Sequence, residues 1–282
     1  MAFLNLIVCF SLVSACGTYI GNPEEDDEVQ NSETPDDDGT TVNTPEDPNE
    51  ISDKLFTLAL TDAAVDDLSA FYITVASITV KSTDEDDVSI PVSVTDEINL
   101  LDYQGSDSIL FAGTDDIPYG TYSEVRLVLS TESAPRALDL EGNEVAVSAP
   151  SATSSGIKIT TEFEVTESGS SLTLDFDLRK SLKVTGNTIK LSPRIRAVST
   201  EESFEINGSS SAIVACLYEA SIEPDDDTGC DQSVSSANVK SGTFEIGFVA
   251  PGSYKIRYFN SDGSTSDSSS FEVTDSNVTI NQ

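Results

Sequence analysis

The sequence predicts an all-β protein: two β-sandwich domains carried behind an export segment and an acidic tether. Three observations carry that prediction. From residue 54 onward apolar residues recur with a period of about two rather than about 3.6, the alternation of half-buried strands. Turn signals punctuate the runs at short intervals, as in Gln104-Gly105, Pro118-Tyr119-Gly120, Glu141-Gly142-Asn143 and Gly186-Asn187. Residues 17–53 hold 13 Asp/Glu and no Lys/Arg, so they cannot bury a core of their own.

Composition narrows the chemistry. A length of 282 residues leaves room for two domains. The net charge of -36 makes nucleic acid an unsuitable partner, because phosphate binding needs clustered cations. The chain contains no histidine and no tryptophan. Without histidine, Ser-His-Asp and Cys-His catalysis are excluded, and the commonest general base and transition-metal ligand are missing. Strong acidity leaves room for cations such as Ca²⁺.

Residues 1–15 read as a signal peptide. The apolar run Ala2 to Ala15 is too short to span a bilayer as a helix, which needs about 20 residues. It ends in Val13-Ser14-Ala15-Cys16, which resembles the lipobox of bacterial lipoproteins. The resemblance implies cleavage before Cys16, lipid (palmitate among the acyl chains) on that cysteine, and attachment to a membrane of the cell envelope. Gly17 rather than Asp after the cysteine implies the outer membrane. The run departs from the usual pattern in having no Lys or Arg before it.

Residues 16–53 then form the lipidated start and a disordered acidic linker, extended by self-repulsion. Asp36-Asp37-Asp38-Gly39 does not fit an EF-hand loop, since Gly39 at the sixth position would put Thr34 where Asp is needed.

Residues 54–199 form the first β-sandwich. In Ala70 to Val80, Phe71, Ile73 and Val75 share one face. In Tyr122 to Leu129, Val125, Leu127 and Leu129 point one way, while Glu124 and Arg126 point the other and pair. In Leu172 to Leu178, Leu172, Leu174, Phe176 and Leu178 point inward, with Thr173, Asp175, Asp177 and Arg179 facing out. Five ordered blocks, beginning at Leu58, Gly120, Ser155, Leu172 and Lys190, together resemble the bacterial lipoprotein domain DUF4382. That resemblance implies an exported β-domain and assigns it no activity, because the family is uncharacterised.

Residues 200–282 form the second. Ser203 to Gly208 and Ala212 to Tyr218 read as strands. Phe244, Ile246 and Phe248 alternate, Ala250-Pro251-Gly252 turns, and Tyr254, Ile256 and Tyr258 alternate back, as a hairpin. This stretch resembles carboxypeptidase-regulatory-like, transthyretin-type sandwich modules, which implies an accessory fold. Cys216 and Cys230 are the pair left once Cys9 leaves with the signal and Cys16 takes lipid, and an oxidising compartment favours their disulfide. Metal or redox pairing is the alternative, although the spacing is unlike CxxC.

Candidate sites follow from charge. Asp175 and Asp177 share one strand face at a separation of about 6.5–7 Å, open to acid–base work or to a solvated or ion-paired face on which Arg179 satisfies one of them. Asp62, Asp66 and Asp67 could ligate Ca²⁺, with Asp225, Asp226 and Asp227 as a second acidic loop. Arg179, Lys180, Lys183, Lys190, Arg194 and Arg196 form a basic island that could dock an anionic glycan or neutralise neighbouring acidic strands. The expected function is a membrane-anchored, non-catalytic binding or scaffolding module for an envelope or extracellular polysaccharide or protein. The alternatives are a calcium-dependent adhesin module and a carboxylate-based hydrolase.

Overall fold

The computed structural model describes residues 51–63, 65–186, 188–224 and 229–282. Cys16, the tether up to residue 50 and the Asp225, Asp226 and Asp227 loop lie outside the described residues. The described chain is nearly all β, as the alternation predicts.

Before residue 200 the strands are β1 (Phe56–Ala63), β2 (Ala70–Ile73), β3 (Val75–Ser82), β4 (Val88–Ile90), β5 (Ile98–Asn99), β6 (Ile109–Thr114) and β7 (Gly120–Leu129). There follow β8 (Arg136–Leu138), β9 (Glu144–Ser148), a short helix α1 (Pro150–Ser154), β10 (Ile157–Val165) and β11 (Ser170–Asp177). A single helical turn α2 (Leu178–Ser181) leads to β12 (Leu182–Thr185), β13 (Thr188–Leu191) and β14 (Ile195–Ser199). One sheet runs β14-β11-β1-β6 and another β10-β7-β3-β4. Their inner faces meet in one apolar core, where the Phe163 ring is stacked 5.3 Å from Phe56 and 5.2 Å from Tyr122. Each fully buried large side chain there contributes roughly 1.5–3 kcal/mol. A third sheet runs β12-β13-β9-β8-β2-β5. On β7 the expected pairing of Glu124 and Arg126 is present at 2.7 Å.

Two first-module expectations need correcting. Ala70 to Val80 is not one strand: it breaks at the buried Thr74, with β2 in the third sheet and β3 in the second. The Thr74 carbonyl accepts the Ser130 N–H at 2.8 Å, which fixes this corner between sheets. The outward face of β11 is not solvated either. Thr173, Asp175 and Asp177 are as buried as Leu172 and Leu174, because residues beyond 200 cover them.

After residue 200 come β15 (Phe204–Ser209), β16 (Val214–Glu219), β17 (Ser235–Asn238), β18 (Thr243–Val249), β19 (Gly252–Phe259), β20 (Thr265–Asp267), β21 (Phe271–Val273) and β22 (Val278–Asn281). One sheet runs β18-β15-β22; the other runs β17-β16-β19-β20, with β21 also on β19. A second apolar core lies between them, with Ile206, Leu217, Phe244, Ile246, Ile256 and Tyr258 inside. In the first of these sheets Ile206, Ile246 and Val278 form one inward row, and Gly208, Phe244 and Ile280 the next. Gly208 makes room for the Phe244 ring, whose Cζ would lie 2.2 Å from any added Cβ. A disulfide joins Cys216 and Cys230, as the cysteine count predicts, packed beside Val214 and Tyr218.

The predicted hairpin of residues 242–258 is also corrected. β18 pairs with β15 and β19 with β16, so the chain crosses from one sheet to the other at Ala250-Pro251. Phe248 does not continue the inward alternation. It sits at φ 52° and is half-buried, while Gly247 and Val249 are buried. The β15–β18 register jumps here: Ile206 faces Ile246 but Phe204 faces Val249, a bulge at Gly247-Phe248. Among the described residues no helix is long and apolar enough to cross a membrane.

Candidate functional site

The seam between the two cores is polar, and it starts on β11. β1 and β11 are parallel neighbours, with Thr61 beside Asp175 and Ala63 beside Asp177. The same register sets Asp62 opposite Phe176, and the three carboxylates at these strand ends, Asp62, Asp175 and Asp177, are each only 3–4% exposed. A buried charge must be paired or neutralised, and two of the three are paired. Arg196 on β14 reaches Asp175 Oδ2 with Nε at 2.8 Å and Nη2 at 2.7 Å. Its Nη1 donates to the Phe248 carbonyl at 2.7 Å. The bulge of β18 is what frees that carbonyl from the ladder. Ser235 Oγ adds a bond to Asp175 Oδ2 at 3.2 Å.

Asp177 caps α2 by accepting the Lys180 N–H at 2.9 Å, the usual role of Asp before a helical turn. Lys180 Nζ returns to Asp177 Oδ2 at 2.7 Å and also donates to the Ser233 carbonyl at 2.8 Å. Arg179 bonds Asp66 at 3.1 Å and Asn238 Oδ1 at 2.5 Å. Asp62 Oδ1 accepts the Leu178 N–H at 3.1 Å, and among the described residues no cation pairs with it. Burial pushes the Asp62 carboxyl well above its ordinary range; the Leu178 N–H and, more weakly, the Gln104 side chain oppose this, and the Asp175 and Asp177 charges reinforce it. Burial likewise raises Asp177, against the pull of Lys180.

The basic island is therefore split. Arg179, Lys180 and Arg196 point into the seam. Lys183 and Lys190 face each other across the exposed β12–β13 hairpin, and Arg194 is exposed. Nor does the structure bring Asp62, Asp66 and Asp67 together: Asp62 is buried, Asp66 pairs with Arg179, and Asp67 is exposed. Among the described residues no three His, Cys, Asp or Glu side chains gather to hold a metal.

A cleft of about 510 Å³ opens beside the seam. Its floor is the outer face of the β18-β15-β22 sheet, where the register sets two polar rows: Thr279-Asn207-Glu245 and Asn281-Ser209-Thr243. One wall is the Gln104-Gly105 turn of the first module and the other is β17 with Lys240. Lys240 Nζ donates to Gln104 Oε1 at 3.1 Å, and the Ser106 N–H to Glu245 Oε1 at 2.6 Å, so both modules build the cleft. Gly105 and Gly247 meet backbone to backbone beneath it; a Cβ on Gly247 would lie 2.1 Å from the Gly105 carbonyl oxygen. The Gln104-Gly105 turn was visible in the sequence, but its cross-module partner Gly247 was not, since nothing local marks a glycine inside a strand as a docking point.

Comparison with known proteins places a family on part of this chain. Residues 55–193 match the family described as domain of unknown function DUF4382. No curated protein matches the chain. Among solved structures, a candidate adhesin from Bacteroides ovatus aligns with 83% of this chain and 88% of its own, at 10% identity and a TM-score of 0.19. BcpA, the major pilin subunit of Bacillus cereus, aligns with 76% of this chain and 59% of its own, at 10% identity and a TM-score of 0.18. A candidate cell adhesion protein from Bacteroides fragilis aligns with 77% of this chain and 80% of its own, at 10% identity and a TM-score of 0.18.

Proposed function

We propose that this protein is a lipid-anchored, non-catalytic binding module of the cell envelope, whose inter-module cleft holds an envelope or extracellular polysaccharide. The observation that carries the reading is the cleft floor, two cross-strand rows of amide, hydroxyl and carboxylate groups in an open volume of about 510 Å³. Alternating donors and acceptors on a flat, rigid face suit the hydroxyls of a sugar chain, each net hydrogen bond contributing about 1 kcal/mol. The lipobox at Cys16 and the acidic tether support placement on the outer membrane, with the β-modules held away from its surface. The transthyretin-type resemblance of residues 200–282 fits an accessory rather than a catalytic role.

The test is an array of envelope and extracellular polysaccharides probed with the full chain, followed by titration calorimetry on any retained glycan. Asn207→Leu, at the centre of the floor, should weaken binding about tenfold or more through an unpaired sugar hydroxyl. Lys183→Glu, outside the cleft, should leave it unchanged. Retention that survives Asn207→Leu but not Lys183→Glu would move the site to the exposed hairpin. Retention of protein and no glycan would replace the polysaccharide with a protein partner.

A further inference from the structure

Beneath the cleft floor lies a cavity of about 10 Å³, the size of a single solvent particle. It is lined by Asp62, Asp175, Ser235, Ser236, Glu245 and the Gly247 backbone, among others. Among the described residues, Asp175 Oδ1 and Ser236 Oγ have no hydrogen-bond partner, and Asp62 Oδ2 has none at ordinary hydrogen-bond distance, with the Gln104 side chain its nearest polar neighbour. All three residues are at least nine-tenths buried. Unpaired polar atoms at such depth are costly, and native interiors almost always satisfy them.

The charge count points the same way. The buried carboxylates Asp62, Asp175 and Asp177 meet two cations, Arg196 and Lys180, which leaves Asp62 to be neutralised by a proton or by another cation. The other charged groups near the cavity do not cancel its charge. Glu245 adds a further carboxylate and accepts the Ser106 N–H, Lys240 is bonded to Gln104, and Arg179 is paired with Asp66.

We propose that this cavity is a binding site for one monovalent cation of about the size of sodium. A hard cation takes oxygen ligands from carboxylates, hydroxyls and carbonyls, the groups this cavity presents. A single positive charge balances the buried set, Glu245 being half-buried at the cleft, whereas a divalent ion would overshoot it, and among the described residues no three acids converge closely enough to hold one. One occupant would fill the space, partner all three free oxygens and balance the charge; a bare proton would leave the space unfilled. Gly105, Ser236 and Glu245 line both the cleft and the cavity, so the ion has a path in from the cleft.

The experiment is thermal unfolding of the full chain at about pH 8, above the ordinary carboxylate range, in sodium chloride against tetramethylammonium chloride of equal ionic strength. Sodium at about 100 times its dissociation constant should raise the midpoint by roughly 5–10 °C, saturably. At about pH 5, where a proton competes for Asp62, the difference should shrink. Asp62→Asn, a neutral isostere, should abolish the sodium dependence. Ser236→Ala removes one oxygen and no charge, so it should shift the sodium concentration for half the effect upward. Equal midpoints in both salts at about pH 8 would overturn the proposal. So would a midpoint that falls with rising pH identically in both, which would assign the site to a proton.

Discussion

Removing Arg196 tests the seam most directly. Arg196→Met keeps the aliphatic length and deletes the guanidinium. Asp175, at 3% exposure, is then left charged, holding only the Ser235 hydroxyl, and the Phe248 carbonyl loses its donor. Breaking a buried pair from one side costs about 3–5 kcal/mol. Because the Arg196 side chain is 22% exposed and partly screened, the low end applies, about 3 kcal/mol. For a body of this size that is a fall of roughly 6–12 °C in the thermal midpoint. With no tryptophan present, urea unfolding would be followed by tyrosine fluorescence and far-ultraviolet circular dichroism. Asp175→Asn removes the charge that Arg196 compensates, so the double variant should be less damaged than the sum of the singles by about 1 kcal/mol or more. Additivity within about 0.5 kcal/mol would refute the coupling. A cost below about 1 kcal/mol for Arg196→Met alone would mean the pair behaves as an exposed one.

Two further predictions follow from burial and close approach. Burial raises the folded-state pKa of Asp62 and Asp177, so the folded chain holds protons that the unfolded chain releases. Their stabilisation is fully present below the unfolded carboxylate pKa of about 4 and is lost as pH rises through the folded values, by up to about 1.4 kcal/mol per unit for each group. Urea titrations from about pH 5.5 upward in tetramethylammonium buffers, beyond the range where the lowered carboxyls of Glu97, Asp115, Asp139, Asp262 and Asp267 add stability, would show this fall, and Asp62→Asn should remove its own share; a stability that climbs over this window would contradict the assigned burial. Gly247→Ala would bring its Cβ within 2.1 Å of the Gly105 carbonyl oxygen, backbone against backbone, so it should cost about 1–3 kcal/mol. Gly186→Ala meets open space and carries only the strain of its φ of 62°, about 1 kcal/mol. Equal losses in the two variants would argue against a tight Gly105–Gly247 contact.

What could be read from the sequence divides along a physical line. Local alternation is a property of one strand against one core, so β7 was legible down to its Glu124–Arg126 pair. Glycines in turns were legible because the backbone there needs positive φ: Gly105, Gly120, Gly142 and Gly186 all have it. The β11 pattern Leu-Thr-Leu-Asp-Phe-Asp reads as one wet face and one dry face, and that reading holds for an isolated sheet. It fails here because a second module lands on the wet face, and no period within β11 records the arrival of residues from beyond 200. The hairpin error has the same origin. The alternation on either side of Ala250-Pro251 is real, but which sheet each strand joins is a long-range choice, made by pairing with β15 and β16.

The one sequence signal that did bear on the seam was charge. Arg179 and Lys180 follow Asp175 and Asp177 within a few residues, and Arg196 lies on a neighbouring strand further on, in a chain where cations are scarce, at 14 against 50 acidic residues. Scarcity makes each cation informative. In a surface of mixed charge a lysine needs no explanation, whereas here a cation placed beside buried acids marks where the fold must hold carboxylates out of water. By that logic Lys183 and Lys190 stand out in the opposite sense. They oppose each other on an exposed hairpin, a like-charge arrangement that is unfavourable in a cross-strand pair. The seam cations answer charges within the fold; among the described residues neither of these two lysines is ion-paired. Both lysines are exposed and lie outside the cleft, and for this reason Lys183→Glu is the control that separates cleft binding from hairpin binding.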